Sequence, residues 1–368
     1  MRILVAGHFK YAMHYGIMQK LYHAMIRLGH AVMLFDDRTV ARRATWFGGR
    51  QVGIAPMNLR FLRAAQEFQP DIIVLGHCEM IWNVTLDQIR RSLPHTKIIY
   101  RNVDPLMHVQ NVKDIHNRTD SVDWIFLTTA GDALSQFSGK RAKIAHIPNP
   151  VDAAMETQQA FACPAYTHDL FYAIGGVYAN DPRPAVAQGI LDACPGVSCY
   201  FGGMFGNPHI FGPAYYAKLA TVKMGLNYSR ENDVYLYSSD RMAQYMGNGL
   251  LTFVHRDTGF GEIFSDNEIA FFGNTNELHE KIRFYAHNDD ERVRVARQGW
   301  QKIHTVFSSD QVARFMIQCA VGDPIAAGPH RLFEKQADYR NAFWIFSIKS
   351  SFSHGKCPSS VGWRPKWP

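Results

Sequence analysis

Short apolar runs that stop at glycine or polar residues recur along this chain with helically spaced segments between them, and no other property restricts the fold as strongly. Residues 2–6 form one run and enter Gly7. Residues 31–35 end at Asp36 and Asp37, residues 71–75 at Gly76, His77, Cys78 and Glu79, residues 97–100 at the polar stretch 101–105, and residues 123–127 at Thr128 and Thr129. Runs this short and continuously apolar suit strands buried on both faces. Between them Ile17, Leu21, Met25 and Leu28 repeat at helical spacing before a capping Gly29, and Phe61, Ala65 and Phe68 do so before Pro70. Strands alternating with helices in this way predict an α/β protein with a parallel, doubly wound sheet.

The series is interrupted at His146-Ile147-Pro148-Asn149-Pro150-Val151-Asp152. Its two prolines donate no backbone hydrogen bond and push the residues before them toward extended geometry, so a strand over 143–147 must stop there. A second series then begins: residues 169–174 enter Gly175 and Gly176, residues 197–201 enter Gly202 and Gly203, and residues 250–254 form a further run. At 368 residues the chain exceeds what one core supports. The expected division is a first Rossmann-like domain over 1–150, a second over 151–325, and a tail over 326–368. Residues 149–168, without helical or strand periodicity, are the expected linker.

Composition excludes several classes. No apolar run approaches the roughly 18 residues of a membrane span, and the opening run is too short for a secretory signal, so a cytoplasmic location is expected. The six cysteines are scattered without a Cys-x-x-Cys pair or a Cys/His cluster at zinc spacing, so no metal site is expected. Of the net charge of +7, residues 329–368 carry seven Lys/Arg against Glu334 and Asp338, or 7 − 2 = +5. With a nearly neutral body and no nucleic-acid-reading motif, nucleic acid is not an expected partner. The tail is dotted with Phe343, Trp344, Phe346, Phe352, Trp363 and Trp367. It reads as a disordered segment, as one returning to the first domain, or as a peripheral contact with the anionic inner face of the membrane. No signal addresses the oligomeric state.

Ligands of doubly wound sheets sit beyond the carboxyl ends of the strands. In the first half that rule selects a rim of Gly7, His8, His77 and Asp104. A Gly-x-Gly-x-x-Gly fingerprint is missing there, which disfavours a dinucleotide-dependent dehydrogenase. In the second half, Gly175-Gly176 and Gly202-Gly203 lack Cβ atoms just where a following helix starts, so backbone amides can approach a bound diphosphate. Tight turns would use the same glycines.

Three spaced blocks add specificity: Lys223-Met224-Gly225-Leu226-Asn227 with Arg230; Ser239-Asp240-Arg241 with Gln244 and Gly247; and Gly259-Phe260-Gly261-Glu262-Ile263-Phe264 before an apolar run at 269–272. In this order they resemble the donor domain of the spore-maturation-type (CgeB-like) group of GT-B glycosyltransferases, within the wider family 1-4-like group. The run 146–152 resembles the segment that ends the first domain in that architecture, with Pro150 in place of a glycine. The resemblance implies two Rossmann-like domains facing across a cleft. It further implies transfer of a hexose-like sugar from a nucleotide-sugar, which is a substrate rather than a cofactor, to a hydroxyl acceptor such as a glycan, a lipid-linked saccharide or a protein. The implied donor-binding residues are Gly175, Gly176, Gly202, Gly203, Lys223, Asn227, Arg230, Arg241, Gln244, Gly261 and Glu262. No Asp-x-Asp motif is present, so metal independence is expected. Asp104, His77 and His14, in that order, are the candidate bases. Gln244 stands where the family has a glutamate. That departure keeps open a catalytically silent nucleotide- or partner-binding protein, and a nucleotide-sugar epimerase on the same fold is a second rival.

Overall fold

The computed structural model describes residues 1–9, 16–46, 49–322 and 331–332. Its first lobe opens with β1 (Arg2–Gly7), α1 (Ile17–Arg27), β2 (Ala31–Asp36), α2 (Asp37–Arg43), α3 (Ile54–Phe68) and β3 (Ile72–Gly76). It continues through α4 (Asn83–Ser92), β4 (Lys97–Asn102), α5 (Val109–Arg118), β5 (Trp124–Leu127) and β6 (Lys143–His146). The second comprises β7 (His168–Ala173), α6 (Arg183–Ala193), β8 (Cys199–Gly202), α7 (Gly212–Leu219), β9 (Val222–Asn227), α8 (Asp240–Gly247), β10 (Leu251–His255), β11 (Ala270–Phe272), α9 (Thr275–His287) and α10 (Asp289–Val306). Then follow α11 (Ser309–Val321) and β12 (Arg331–Leu332). Two sheets result, in the orders β12-β6-β5-β4-β3-β1-β2 and β11-β10-β9-β7-β8. Every pairing is parallel except that of β12 with β6.

The continuous apolar runs are explained by burial on both faces. In β1, Leu4 and Ala6 pack with Phe61 and Ala65 of α3, whereas Ile3 and Val5 pack on the other face with Leu21 and Met25 of α1. Alternation of side chains along a strand sends neighbours to opposite layers. The second face has another cover. Val312, Phe315, Met316 and Cys319 of α11 join that same cluster, so α11, inside the span 151–325 expected to form a second domain, packs on the first sheet. No helix among the described residues is long and apolar enough to cross a membrane.

The chain crosses between lobes twice, side by side. Val151 N–H donates to Phe307 O at 2.8 Å and Ser309 N–H to Val151 O at 2.7 Å. The expected linker 149–168 is buried where it begins: Val151, Asp152 and Glu156 are at most 1% exposed. The reason is ionic. Lys20 of α1 is fully buried, 2.7 Å from Glu156 Oε1, and donates to Pro150 O at 3.0 Å. Arg27, two turns on, reaches Asp152 Oδ2 at 2.8 Å and Asp310 Oδ1 at 2.6 Å, while Ser309 Oγ donates to Asp152. Both crossings are thereby tied to α1. Beyond residues 331–332, the expected basic tail lies outside the described residues.

Candidate functional site

In the second sheet β8 and β9 flank β7 on opposite sides. The order therefore reverses at β7, and a crevice opens at the carboxyl ends of the strands, where such sheets take ligands. An open cavity of about 240 Å³ lies there, walled by Ile174 and Gly175 after β7, by Phe211, Gly212 and Tyr215 at the start of α7, and by Ser239, Asp240, Arg241 and Gln244 at the start of α8. Neither helix has a side-chain cap at its N-cap residue, Phe211 or Ser239. First-turn amides of two helices, each at the positive end of its dipole, converge on one space. Ser239 Oγ instead donates to Asn227 Oδ1 at 3.2 Å, which ties the end of β9 to the start of α8.

Arg241 donates from Nη2 to Tyr228 O at 2.9 Å and stacks over the Tyr172 ring at 5.5 Å, while its buried Nε has no hydrogen-bond partner. A guanidinium held on one side with donor capacity to spare suits an oxyanion. Gln244 Nε2 donates to Asp240 Oδ2 at 3.2 Å, one turn earlier, and Asp240 Oδ1 is buried without a partner. A Cβ on Gly175 or Gly176 would meet nothing within 4 Å, so this backbone is open to a ligand. Arg183 fastens the loop behind it by donating to Gly176 O at 2.8 Å and to Asp181. Those hydrogen bonds hold the Asp181 carboxyl down to about 2.

Other expected donor residues lie elsewhere. Gly203, with φ of +77°, makes the turn after β8, where a Cβ would strike His209 and Ile174 O; Gly202 packs on Ala173. That pair is conformational. Lys223 pairs with Asp169 at 2.8 Å, at the amino ends of β9 and β7, the opposite edge of the sheet from the cavity. Arg230 stacks on Tyr178 at 4.5 Å and contacts His108 of the first lobe. Glu262 accepts from the Tyr235 hydroxyl at 2.6 Å, and neither it nor Gly261 lines the cavity. Tyr235 O in turn accepts from Ala130 N–H at 3.0 Å, so this group serves the contact between lobes.

In the first lobe the structure brings His77, Glu79 and Asp104 near one another. His77, in the left-handed region at φ of +49°, lies with Nδ1 3.4 Å from Glu79 Oε1 and 3.9 Å from Asp104 Oδ2, and its Nε2 accepts from Val103 N–H at 3.4 Å. If that bond assigns the tautomer, Nδ1 carries the proton toward the carboxylates and no imidazole lone pair is free. Asp104 is 59% exposed at its side chain. Its loop is braced: Asp104 N–H donates to Asn102 Oδ1 at 2.9 Å, Asn102 Nδ2 to Asn111 Oδ1, and Asn111 Nδ2 back to Asp104 O at 3.0 Å. Burial pushes Glu79 upward, but hydrogen bonding to His77 and to backbone, with the nearby Arg38 charge, outweighs it, leaving a net lowering. His14 lies outside the described residues.

Two groups at this edge escaped the sequence reading. Asp37, the first residue of α2, is fully buried, and that burial raises its carboxyl to about 6. Arg101, at the end of β4, is 1% exposed and donates to Asn149 Oδ1 at 3.2 Å; Asn149 Nδ2 donates to Ser238 O. Burial lowers its guanidinium to about 9, opposed by the Asp240 charge. A charged residue at or just after the end of an apolar strand was the available signal for both.

Comparison with known proteins agrees with this geometry. Residues 185–318, which span α7, α8 and most of the cavity wall, match the family described as glycosyl transferase-like. None of the curated proteins compared matches the sequence. Among solved structures, HepE of Anabaena, in complex with UDP and glucose, superposes with a TM-score of 0.59 at 13% identity over 88% of this chain and 100% of its own. Sucrose-phosphate synthase from Thermosynechococcus elongatus gives 0.57 at 11% identity over 86% and 97%. The trehalose-6-phosphate structure from E. coli, bound with UDP-2-fluoro glucose, gives 0.55 at 10% identity over 86% and 98%. The chain has the GT-B fold, and its residues 185–318 carry the glycosyl transferase-like family pattern.

Proposed function

We infer that the protein transfers a sugar from a nucleoside-diphosphate sugar, held in the second lobe, to a hydroxyl acceptor presented by the first. The observation that carries this reading is the convergence of two uncapped helix starts, the open Gly175 backbone and Arg241 on one cavity. Departure of the nucleotide builds charge on its diphosphate. Fixed amide dipoles and a guanidinium stabilise that charge without reorganising, which is the role a metal fills in other sites. The reaction is therefore expected to proceed without one. Tyr215 and Phe211 give the cavity an apolar side suited to the nucleoside, and Gln244 can accept from a ribose hydroxyl through its amide oxygen. Asp104, exposed and braced, is the base for the acceptor hydroxyl, and His77 orients it.

Titration calorimetry with UDP in chelator tests the donor site. Binding is expected, and Arg241→Ala is expected to weaken it by about 1.5–3 kcal/mol against about 0.5–1.5 for Gln244→Ala, the difference between a charge-assisted and a neutral hydrogen bond. Equal losses, or no binding by the unaltered protein, would remove the assignment. Binding without turnover of any nucleotide-sugar would favour the silent reading, which the uncharged Gln244 already motivates.

A further inference from the structure

Between Asp37 and Glu67 the chain carries six arginines, Arg38, Arg42, Arg43, Arg50, Arg60 and Arg63, and no acidic residue. The segment folds into α2 and α3, which meet where Gly53 packs on Ala41; a Cβ on Gly53 would sit 1.8 Å from Ala41 O. The inward face of α3 buries Met57, Phe61 and Ala65. Its outward face presents Leu59, 69% exposed, beside Arg60 and Arg63. At the neighbouring end, Trp46 is 99% exposed and Val52 60%, next to the exposed Arg42, Arg43 and Arg50. Among the described residues no carboxylate lies within ion-pair distance of these five arginines. Charge that intramolecular partners leave unneutralised, interleaved with large apolar side chains in water, is complementary to a surface that is both anionic and apolar beneath.

We propose that the α2–α3 face docks on an anionic lipid bilayer, with Trp46, Val52 and Leu59 entering the headgroup boundary and the arginines pairing with lipid phosphates. Trp favours that boundary, and aliphatic side chains gain from it what a nucleic-acid phosphate cannot offer them. The face adjoins the acceptor rim: Arg38, in the first turn of α2, reaches Glu79 at 3.8 Å, and Glu79 lies against His77. Docking there would bring the rim to the membrane. It does not depend on the donor-site reading.

The test uses the full chain, pelleted with vesicles of phosphatidylcholine alone and of phosphatidylcholine mixed equally with phosphatidylglycerol. Binding is expected to the mixture only and to weaken with salt. Each basic residue at such a surface is worth roughly a five-fold change in partitioning, so replacing Arg42, Arg43, Arg60 and Arg63 together with glutamine is expected to lower it at least a hundred-fold. Trp46→Ser with Leu59→Ser is expected to lower it several-fold at unchanged charge. If the quadruple variant melts early, the single Arg→Gln variants, at about five-fold each, replace it. Wild-type binding by the altered chains would assign membrane contact to the tail and overturn the proposal. So would tighter retention on RNA than on vesicles, or no binding to the anionic mixture.

Discussion

Replacing Lys20 by methionine removes one partner of an ion pair whose two side chains are both fully buried. Breaking a buried pair from one side costs about 3–5 kcal/mol, because the remaining charge has left water without compensation. Glu156 is not left bare: Asp152 N–H donates to Oε2 at 2.8 Å and the Tyr216 hydroxyl to Oε1 at 3.3 Å. The loss is therefore expected at the lower end, about 3 kcal/mol. Glu156→Gln leaves Lys20 with Pro150 O and an uncharged amide, and should cost about as much. The double variant Lys20→Met/Glu156→Gln strands neither charge and should cost about 1 kcal/mol or less, giving a coupling near 5 kcal/mol against the 0.3–0.5 within which independent sites add. The assay is a thermal and urea melt followed by far-UV circular dichroism and tryptophan fluorescence together, with single-variant midpoints falling by about 6–10 °C. A double variant as damaged as the two singles summed would refute the clamp.

Two further outcomes follow from the first-lobe rim. Asp37, raised to about 6 from the 3.8 of a free aspartate, favours the fold while protonated, so its contribution falls as pH rises from about 4 to 6 and stays lost above. Asp37→Asn should stabilise at pH 7 by up to about 3 kcal/mol and change nothing at pH 3.5, read from paired denaturant curves. Asp104→Asn should cut transfer about 10²–10⁴-fold with UDP affinity unchanged; full turnover would exclude it as the base.

What could be read from the chain without its structure was what local pattern determines. The apolar runs ending at Gly7, Asp36, Gly76 and Leu127 became strands because continuous burial leaves little else for them. Capping was equally local: Asp36 accepts from Thr39 N–H at the start of α2. The strand β9 was harder to see because Gly225 interrupts it, and that glycine is required where a Cβ would stand 2.5 Å from the Tyr245 ring. The stretch 149–168 looked like a linker since no cation nearby in sequence pairs with Asp152 or Glu156; their ionic partners Arg27 and Lys20 come from more than a hundred residues earlier. At the site, two Gly-Gly pairs were indistinguishable as strings, yet Gly175 faces open space and Gly203 supports a turn. Lys223, close to Asn227 along the chain, occupies the other end of the same strand.

The return of α11 to the first sheet reverses the usual order of maturation during synthesis. When residue 150 has left the ribosome, Ile99, Trp124 and Phe126 form a greasy surface whose cover, Val312, Phe315 and Met316, has not yet been translated. Elongation at about 5–20 residues per second separates these events by roughly 10–30 s. By then the second sheet, complete at β11, can already have closed. The sheet made first is thus among the last parts of the protein to be covered.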